Sequence, residues 1–213
     1  PDVQEFLESL HLWQDIKSYA CPIKKIITQE ENQEGLTFDA QEINSSYLGH
    51  IIEAHYLRNR CRDTLPSSVL LKGNITLQKI TQRSSCIEVG TTDGPFFGKL
   101  LIGADGKNST VRTLSKITAK NYSYRQTALT FTVKHEHTHQ YTAHEMFTKT
   151  GPLAILPMTE NRSAIVYMGP NAYMTFLKEN IERYLYPEIK KHFPKSYGEI
   201  HISSPIWQYP LAA

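Results

Sequence analysis

The sequence predicts a mixed α/β fold with α+β character. Apolar residues recur at helical spacing near the N-terminus and again from about Tyr173, whereas apolar and polar residues alternate with period two over 68–102 and 124–168. The chain has 213 residues, of which 40% are hydrophobic. That length corresponds to one large domain or two small ones, and it is enough to bury a substantial core.

Composition excludes several classes of protein. The 23 Lys and Arg residues nearly balance the 21 Asp and Glu residues, and a formal charge of +2 does not predict a nucleic-acid surface. No run approaches the roughly 18 consecutive apolar residues of a membrane-spanning helix, and no signal-peptide pattern is present. Three widely spaced cysteines indicate reduced thiols rather than a disulfide framework or a zinc site. We expect a cytosolic location.

The N-terminal part alternates between helix and strand patterns. Helical spacing over 3–16 predicts an amphipathic helix, and the β-branched segment 23–28 predicts a strand. A polar stretch then leads to a second short strand near Leu36, which completes a predicted hairpin. The segment 47–65 is predicted to form a helix with an interleaved basic face.

Strand patterns dominate the middle of the chain. The segment 68–102 predicts a β-meander with a turn at 92–95, and it leads directly into a Gly-Ala-Asp-Gly sequence. The segment 124–168 predicts three or more antiparallel strands. A helix follows from about Tyr173, with a kink or a new helical turn at Pro187, and a final strand is predicted near 200–207.

The strongest local signal is the segment 99–114, with the sequence KLLIGADGKNSTVRTL. A buried strand that enters a glycine-flanked turn and then a helix places unpaired backbone N–H groups at one point, which suits a phosphate group. Asp105 would repel a phosphate, so it would instead accept a hydrogen bond from a sugar hydroxyl, a water or a turn amide. The alternative is a purely structural connection in which Asp105 caps backbone amides, and geometry alone favours this alternative.

Four histidines lie close together in the sequence. His135, His137 and His139 alternate, so a strand would place them on one face, and His144 follows nearby. A metal site is one interpretation. An exposed or hairpin-facing polar stripe is the favoured alternative, and no metal ligand is assigned.

The motif at 103–106, followed by Ser109 and Arg112, resembles the second cofactor motif of the flavin-dependent aromatic hydroxylases related to para-hydroxybenzoate hydroxylase. In that family an Asp-Gly pair serves both FAD and NAD(P)H binding. The remaining segments are similar, in the same order, to the ubiquinone-biosynthesis ring hydroxylases, and GPLAILP is the stretch most specific to that subgroup. The matching segments are LESLHLWQDI, CPIKKIIT, YLGHIIEAHYLRNRC, the long stretch from YRQTALTF to AIVY, and SSPIWQYPLAA.

The resemblance implies two interleaved domains. A partial Rossmann-like FAD-binding domain would comprise 1–20 and 47–115. A substrate-binding domain built on an antiparallel sheet would comprise 21–46 and 116–206, and 207–213 would begin the return to the FAD domain.

Two motifs of the family have no counterpart in this sequence. No GxGxxG loop is present, since no glycine precedes Gly35, and the later Gly-Asp motif is also missing. The chain begins with Pro1 rather than Met and ends in an apolar run. We therefore expect the central portion of a longer enzyme, inactive by itself and unable to hold FAD alone.

The function implied by the resemblance is an FAD- and NAD(P)H-dependent monooxygenase that hydroxylates the aromatic ring of a polyprenylated phenol in ubiquinone biosynthesis. The residues implied to contact the cofactor are Gly103, Ala104, Asp105, Gly106, Arg112 and His50. Those implied to line the substrate side are Gly151, Pro152, Leu153 and Leu156. No side chain stands out as an acid, base or nucleophile, which fits chemistry carried by a flavin.

Two alternatives stay open. The first is a non-catalytic small-molecule binding module derived from the same fold, and the second is another flavoprotein of the group, such as a halogenase or an oxidase. Contact with a membrane surface, with a complex of the ubiquinone pathway, or with a second copy of the chain is also left open.

Overall fold

The computed structural model describes residues 2–30 and 35–212. The chain divides into two compact units, a larger one of residues 1–65 and 123–213 and a smaller one of residues 66–122. The mixed α/β class is confirmed. The division of the chain into FAD-binding and substrate-binding domains stays a prediction. No helix within the described ranges is long and apolar enough to cross a membrane, and the location in the cell stays a prediction.

Thirteen strands and six α-helices are present in the described residues, numbered here in chain order. The strands are β1 (Ala20–Ile23), β2 (Lys25–Glu30), β3 (Leu36–Asp39), β4 (Gly49–Ile52), β5 (Leu77–Gln82), β6 (Ile87–Thr91), β7 (Gly94–Gly98), β8 (Ser123–His135), β9 (Thr142–Phe147), β10 (Pro152–Met158), β11 (Arg162–Pro170), β12 (Ile200–Ile202) and β13 (Trp207–Ala212). The helices are α1 (Asp2–Ser9), α2 (Trp13–Ile16), α3 (Ala54–Asp63), α4 (Thr110–Leu114), α5 (Asn171–Glu179) and α6 (Tyr186–His192).

An eight-stranded sheet forms the centre of the larger unit. Its strand order is β12-β8-β11-β10-β9-β2-β3, and β13 also pairs with β8. All pairs are antiparallel except β2 with β9, which run parallel. The predicted antiparallel strands of 124–168 are therefore confirmed, as is the predicted hairpin, which β2 and β3 form.

The main core lies between one face of this sheet and the helices α5 and α6. Phe131, Ile155 and Ile165 project from the sheet into a cluster with Leu177 and Ile189 of the helices. Each large apolar side chain that is fully buried in this way contributes about 1.5–3 kcal/mol relative to an exposed one. Successive side chains of a strand point to opposite faces of the sheet. The neighbours of these core residues along each strand therefore project from the opposite face.

We call that opposite surface the Glu145 face. Strand register places Thr130, Val166, Ala154 and Glu145 side by side on it. Strands β1 and β4 form a separate two-stranded sheet, and both contact β10.

Two helices predicted in the N-terminal part are shorter in the structure than the sequence pattern indicated. The predicted helix 3–16 is interrupted between α1 and α2, where His11 has a φ of 56°. The predicted helix 47–65 begins as strand β4 and is helical only in α3. The strand forms because Ile51 and Ile52 pair with Cys21 and Ala20 of β1, a partner distant in sequence.

The smaller unit contains the three-stranded meander β5-β6-β7 followed by α4. The meander is confirmed, but it is shorter than predicted. Val69 and Leu71 lie outside any strand, and the strand predicted to continue to Ile102 ends at Gly98. Ile87 with Gly98 is the last pair of the β6–β7 ladder, so the backbone beyond Gly98 leaves its hydrogen-bonding partner.

The C-terminal elements agree with the predictions, with two refinements. A π-helical turn at Ile181–Leu185 joins α5 to α6, and Pro187 lies in the first turn of α6, where its missing N–H group is tolerated. The final strand is divided in two, because the segment containing Ser204 and Pro205 separates β12 from β13.

Candidate functional site

Asp105 caps the N-terminus of α4 in the smaller unit. Its Oδ2 atom accepts hydrogen bonds from the backbone N–H groups of Thr110 at 2.7 Å and Val111 at 3.1 Å, and its Oδ1 atom accepts one from the Ser109 hydroxyl at 2.5 Å. The Ser109 Oγ in turn accepts from the N–H group of Arg112 at 2.9 Å. The Ser109 hydroxyl, followed by the backbone amides, lowers the pKa of Asp105 and keeps the carboxylate ionised.

These contacts correct the phosphate interpretation of the motif. The N–H groups at the start of α4 bind side-chain oxygens of this chain, so they are not the unpaired donors that a phosphate requires. The strand expected to precede the motif is also absent at 99–102. The capping alternative is the one the structure shows.

The two glycines of the motif have different roles. A Cβ atom at Gly103 would lie 2.9 Å from Cγ1 of Val111, so the absence of a side chain lets the loop pack closely on α4. Gly106 has a φ of 80°, and a Cβ there would meet nothing within 4 Å. Its backbone is therefore accessible to a ligand. The Arg112 guanidinium donates to the carbonyl oxygen of Lys107 at 2.6 Å and closes the turn.

A cavity of about 400 Å³ lies beside this motif within the smaller unit. Four of the predicted motif residues, Gly103, Gly106, Ser109 and Arg112, line it together with apolar residues such as Leu101. The structure therefore brings the predicted cofactor residues of this unit to one concave surface, except that Ala104 and Asp105 are not among its lining residues.

His50 belongs to the larger unit, where it lies on β4 opposite Pro22. Its ring meets Trp13 edge-on at a centroid distance of 5.0 Å and lies 4.3 Å from the ring of Tyr47. Burial lowers the pKa of His50, so the imidazole is neutral near pH 7. A Cβ atom at the adjacent Gly49 would meet nothing within 4 Å, which leaves the backbone beside His50 accessible.

The four residues predicted for the substrate side do not share one surface. A side chain at Gly151 would overlap the carbonyl oxygen of Met168, so this position admits only glycine. Pro152 and Leu156 lie on the Glu145 face by strand alternation. Leu153 projects from the other face and is fully buried in the core beneath the helices. Leu153 and Leu156 therefore cannot line the same wall.

The expected exposed or hairpin-facing polar stripe of histidines is present only in part, since His137 is exposed. His135 and His139 are buried, with their rings 5.6 Å apart, because the strand ends at His135 and the turn beyond it folds back. His135 bonds to the Ser163 hydroxyl and the His137 carbonyl. The Nε2 atom of His139 contacts the Met158 carbonyl at 2.8 Å. Among the described residues, no group of three or more His, Cys, Asp or Glu side chains could hold a metal ion.

A separate cavity of about 460 Å³ lies at the end of α6, and His144, Phe147 and Phe193 are among its lining residues. It contains none of the predicted site residues. We therefore do not assign the substrate to it.

Glu145 is the functional candidate that the sequence analysis missed. Its side chain is half-buried, and burial raises the pKa of the carboxyl group. On β9 it projects from the same face as Ala143 and Phe147, so the acidic residue lies between two apolar neighbours on that face. An acidic residue in a period-two apolar pattern is the signal that could have identified it.

Comparison with known proteins supports the predicted resemblance. No protein-family model matches the chain. The 3-demethoxyubiquinol 3-hydroxylase of Escherichia coli K12 is 28% identical over 198 residues, which are 91% of this chain and 51% of that protein. The chain is similar in sequence to the ubiquinone hydroxylases. Further curated relatives are named as a ubiquinone hydroxylase and as ubiquinone biosynthesis monooxygenases. The chain spans about half the length of the curated relatives it matches.

Solved structures show the same fold. The p-nitrophenol 4-monooxygenase PnpA of Pseudomonas putida DLL-E4 superposes with a TM-score of 0.77 at 15% identity, covering 100% of this chain and 56% of PnpA. HpxO of Klebsiella pneumoniae, solved with FAD and uric acid, gives a TM-score of 0.72 at 14% identity, with 98% of this chain and 56% of HpxO covered. The predicted resemblance in fold to flavin-dependent aromatic hydroxylases is confirmed.

Proposed function

We propose that the whole protein is an FAD- and NAD(P)H-dependent monooxygenase that hydroxylates the aromatic ring of a polyprenylated phenol in ubiquinone biosynthesis. The observation that carries the proposal is the similarity over 91% of the chain to a 3-demethoxyubiquinol 3-hydroxylase. The fold, shared with PnpA and with FAD-bound HpxO, is consistent with it.

FAD fits the smaller unit in part. The accessible backbone at Gly106 and the cavity beside it could receive one portion of the cofactor, with Gly103, Ala104 and Arg112 shaping the turn. Asp105 would act by holding this turn rather than by contacting phosphate. The sequence contains no GxGxxG loop, so we propose that the 213 residues alone do not retain FAD and are inactive.

In the larger unit, His50 is proposed to contact the flavin as a neutral ring that Trp13 and Tyr47 orient. Bound FAD would supply the oxygen activation that amino-acid side chains cannot provide. The protein would supply binding, orientation and exclusion of water from the reacting ring.

The Glu145 face is proposed to bind the aromatic ring and its apolar tail. The other face of the sheet packs against α5 and α6, and the cavity that remains at the end of α6 contains none of the predicted site residues. On the Glu145 face, Pro152, Ala154, Leu156 and Val166 present a largely apolar surface, which suits a lipid-tailed phenol.

The test is an assay of the purified full-length protein. We expect flavin absorbance, consumption of NADH or NADPH that depends on oxygen and on a prenylated phenol, and a product heavier by one oxygen atom by mass spectrometry. Bound flavin without hydroxylation of any prenylated phenol would instead indicate another flavoprotein of the group.

A non-catalytic binding module is the second candidate. The capping of α4 by Asp105 favours it, since this helix has no unpaired N-terminal amides for a cofactor phosphate. Full-length protein that binds a prenylated phenol but never contains flavin would support this candidate and overturn the enzyme proposal.

A further inference from the structure

One ionisable side chain lies in the middle of an otherwise uncharged row across the Glu145 face. Strand pairing places Thr130 opposite Val166, Val166 opposite Ala154, Ala154 opposite Glu145, and Glu145 beside Thr28 of the parallel strand β2. Residues paired in this way project from the same side of a sheet. The carboxylate is therefore at the centre of the sheet rather than at its rim.

The surroundings of Glu145 are apolar. Ala154 and Ala143, its neighbours across and along the strands, are 7% and 3% exposed. Within residues 2–30 and 35–212, the half-buried Glu145 carboxylate has neither a side-chain hydrogen bond nor an ion pair, and burial is the one cause of its raised pKa. A carboxylate removed from water without a partner is unfavourable, and such groups concentrate at functional sites.

Other charged groups on this face lie too far along the strands to pair with Glu145, or they have partners of their own. Glu30 is two positions beyond Thr28 on β2, beside Phe147, and is exposed. Arg162 is four positions from Val166 on β11, where it forms an ion pair with Glu53 at 2.9 Å. The position of Glu145 is thus not explained by a structural ion pair among the described residues.

We propose that the Glu145 carboxylate binds the hydroxyl group of the phenol substrate and so fixes which ring carbon is hydroxylated. This inference rests on the proposed function. The phenolic O–H group donates a hydrogen bond to a carboxylate oxygen, and the proton remains on the phenol. This bond increases electron density on the ring at the positions ortho and para to the hydroxyl, which favours attack by an electrophilic oxygen.

The experiment compares two probes with the full-length holoenzyme, a prenylated phenol and its methyl ether, which lacks the hydroxyl donor. Wild-type enzyme is expected to bind the phenol more tightly than the ether. The variant Glu145→Gln replaces a charged acceptor by a neutral one, so it should weaken binding of the phenol by about 10-fold and leave binding of the ether nearly unchanged. The ring position of the product should also become mixed.

Glu30→Gln is the matched control, because it removes an exposed carboxylate from the same face. It should behave as wild type.

Should Glu145→Gln fail to fold, Glu145→Asp keeps the charge on a shorter side chain and should lower the preference for phenol over ether. Equal losses for both probes, or unchanged preference and product, would overturn the role of Glu145. A wild-type enzyme that neither binds nor oxidises prenylated phenols would instead overturn the proposed function.

Discussion

Arg162 of β11 forms an ion pair with Glu53, the residue that precedes α3, with an Nη2–Oε1 distance of 2.9 Å. Their side chains are only 21% and 29% exposed. Arg162 also donates to the carbonyl and hydroxyl oxygens of Thr159. One guanidinium therefore ties the central sheet to the start of an N-terminal helix within the larger unit.

Arg162→Ala should destabilise the larger unit by about 1–2 kcal/mol, because it removes the guanidinium partner of the partly buried Glu53 carboxylate. Urea denaturation gives the change in unfolding free energy. Arg62→Ala is the control, since the Arg62–Asp63 pair is 59% and 58% exposed and should contribute no more than about 0.5 kcal/mol. Equal effects of the two substitutions would contradict a special role for Arg162.

Asp105→Ala should loosen the start of α4, because the Thr110 and Val111 amides lose their acceptor. Hydrogen exchange at these two amides should become faster, whereas Asp93→Ala, in a turn of the same unit, should leave them unchanged. The pKa of Asp105 is lowered in the folded protein, so its contribution is present above about pH 4 and is lost as the pH falls through the lowered value. Slow exchange of both amides in Asp105→Ala would show that the cap is dispensable.

Leu153 and Leu156 should respond differently to truncation, because they project from opposite faces of β10. Leu153→Ala should cost about 2–5 kcal/mol of unfolding free energy, since it creates a cavity in the helix-covered core. Leu156→Ala should cost about 1 kcal/mol and weaken binding of a prenylated phenol to the full-length protein. A larger loss of binding affinity in a folded Leu153→Ala variant would contradict this assignment of faces.

Acid should destabilise the larger unit through its buried imidazoles. Burial lowers the pKa values of His135 and His144, so the unfolded state takes up protons more readily than the folded state. Their neutral forms support the fold fully above about pH 6.5, and this support is lost as the pH falls toward the lowered values. Urea denaturation at pH 7 and pH 5 should show a smaller difference for His144→Phe than for wild type. The exposed His137→Ala should keep the wild-type difference, and a reduced difference in that control would refute the assignment.

Local pattern was sufficient for elements whose pairing partners are near in sequence. Period-two alternation identified the strands from Ser123 to Pro170, and the capping pattern identified the helix after Ser109. Local pattern gave the wrong element at β4. Ile51 and Ile52 fit a helical spacing, but in the fold they pair with β1, whose position the local sequence does not reveal. The placement of Leu153 and Leu156 on opposite faces of the sheet could have been predicted. Two strand residues that are an odd number of positions apart project from opposite faces.

The sequence around Asp105 allows either a phosphate site or a cap on the α4 amides, and only the geometry of the turn decides between them. The period-two pattern of β9 could have singled out Glu145, but it could not place this residue at the centre of the sheet. Its central place follows from a register that joins β9 to β10 on one side and to β2 on the other, and that register depends on contacts distant in the chain.

The parallel pairing of β2 with β9 also sets an order for folding. It aligns Lys25 with Thr142, so the chain between them, including the whole smaller unit, forms one closed loop. Closing a long loop loses much chain entropy before any contact compensates for it. We therefore expect the local antiparallel ladders from β8 to β11 to form early and the β2–β3 hairpin to join the sheet late. The edge next to Glu145 would then be the last part of the sheet to assemble.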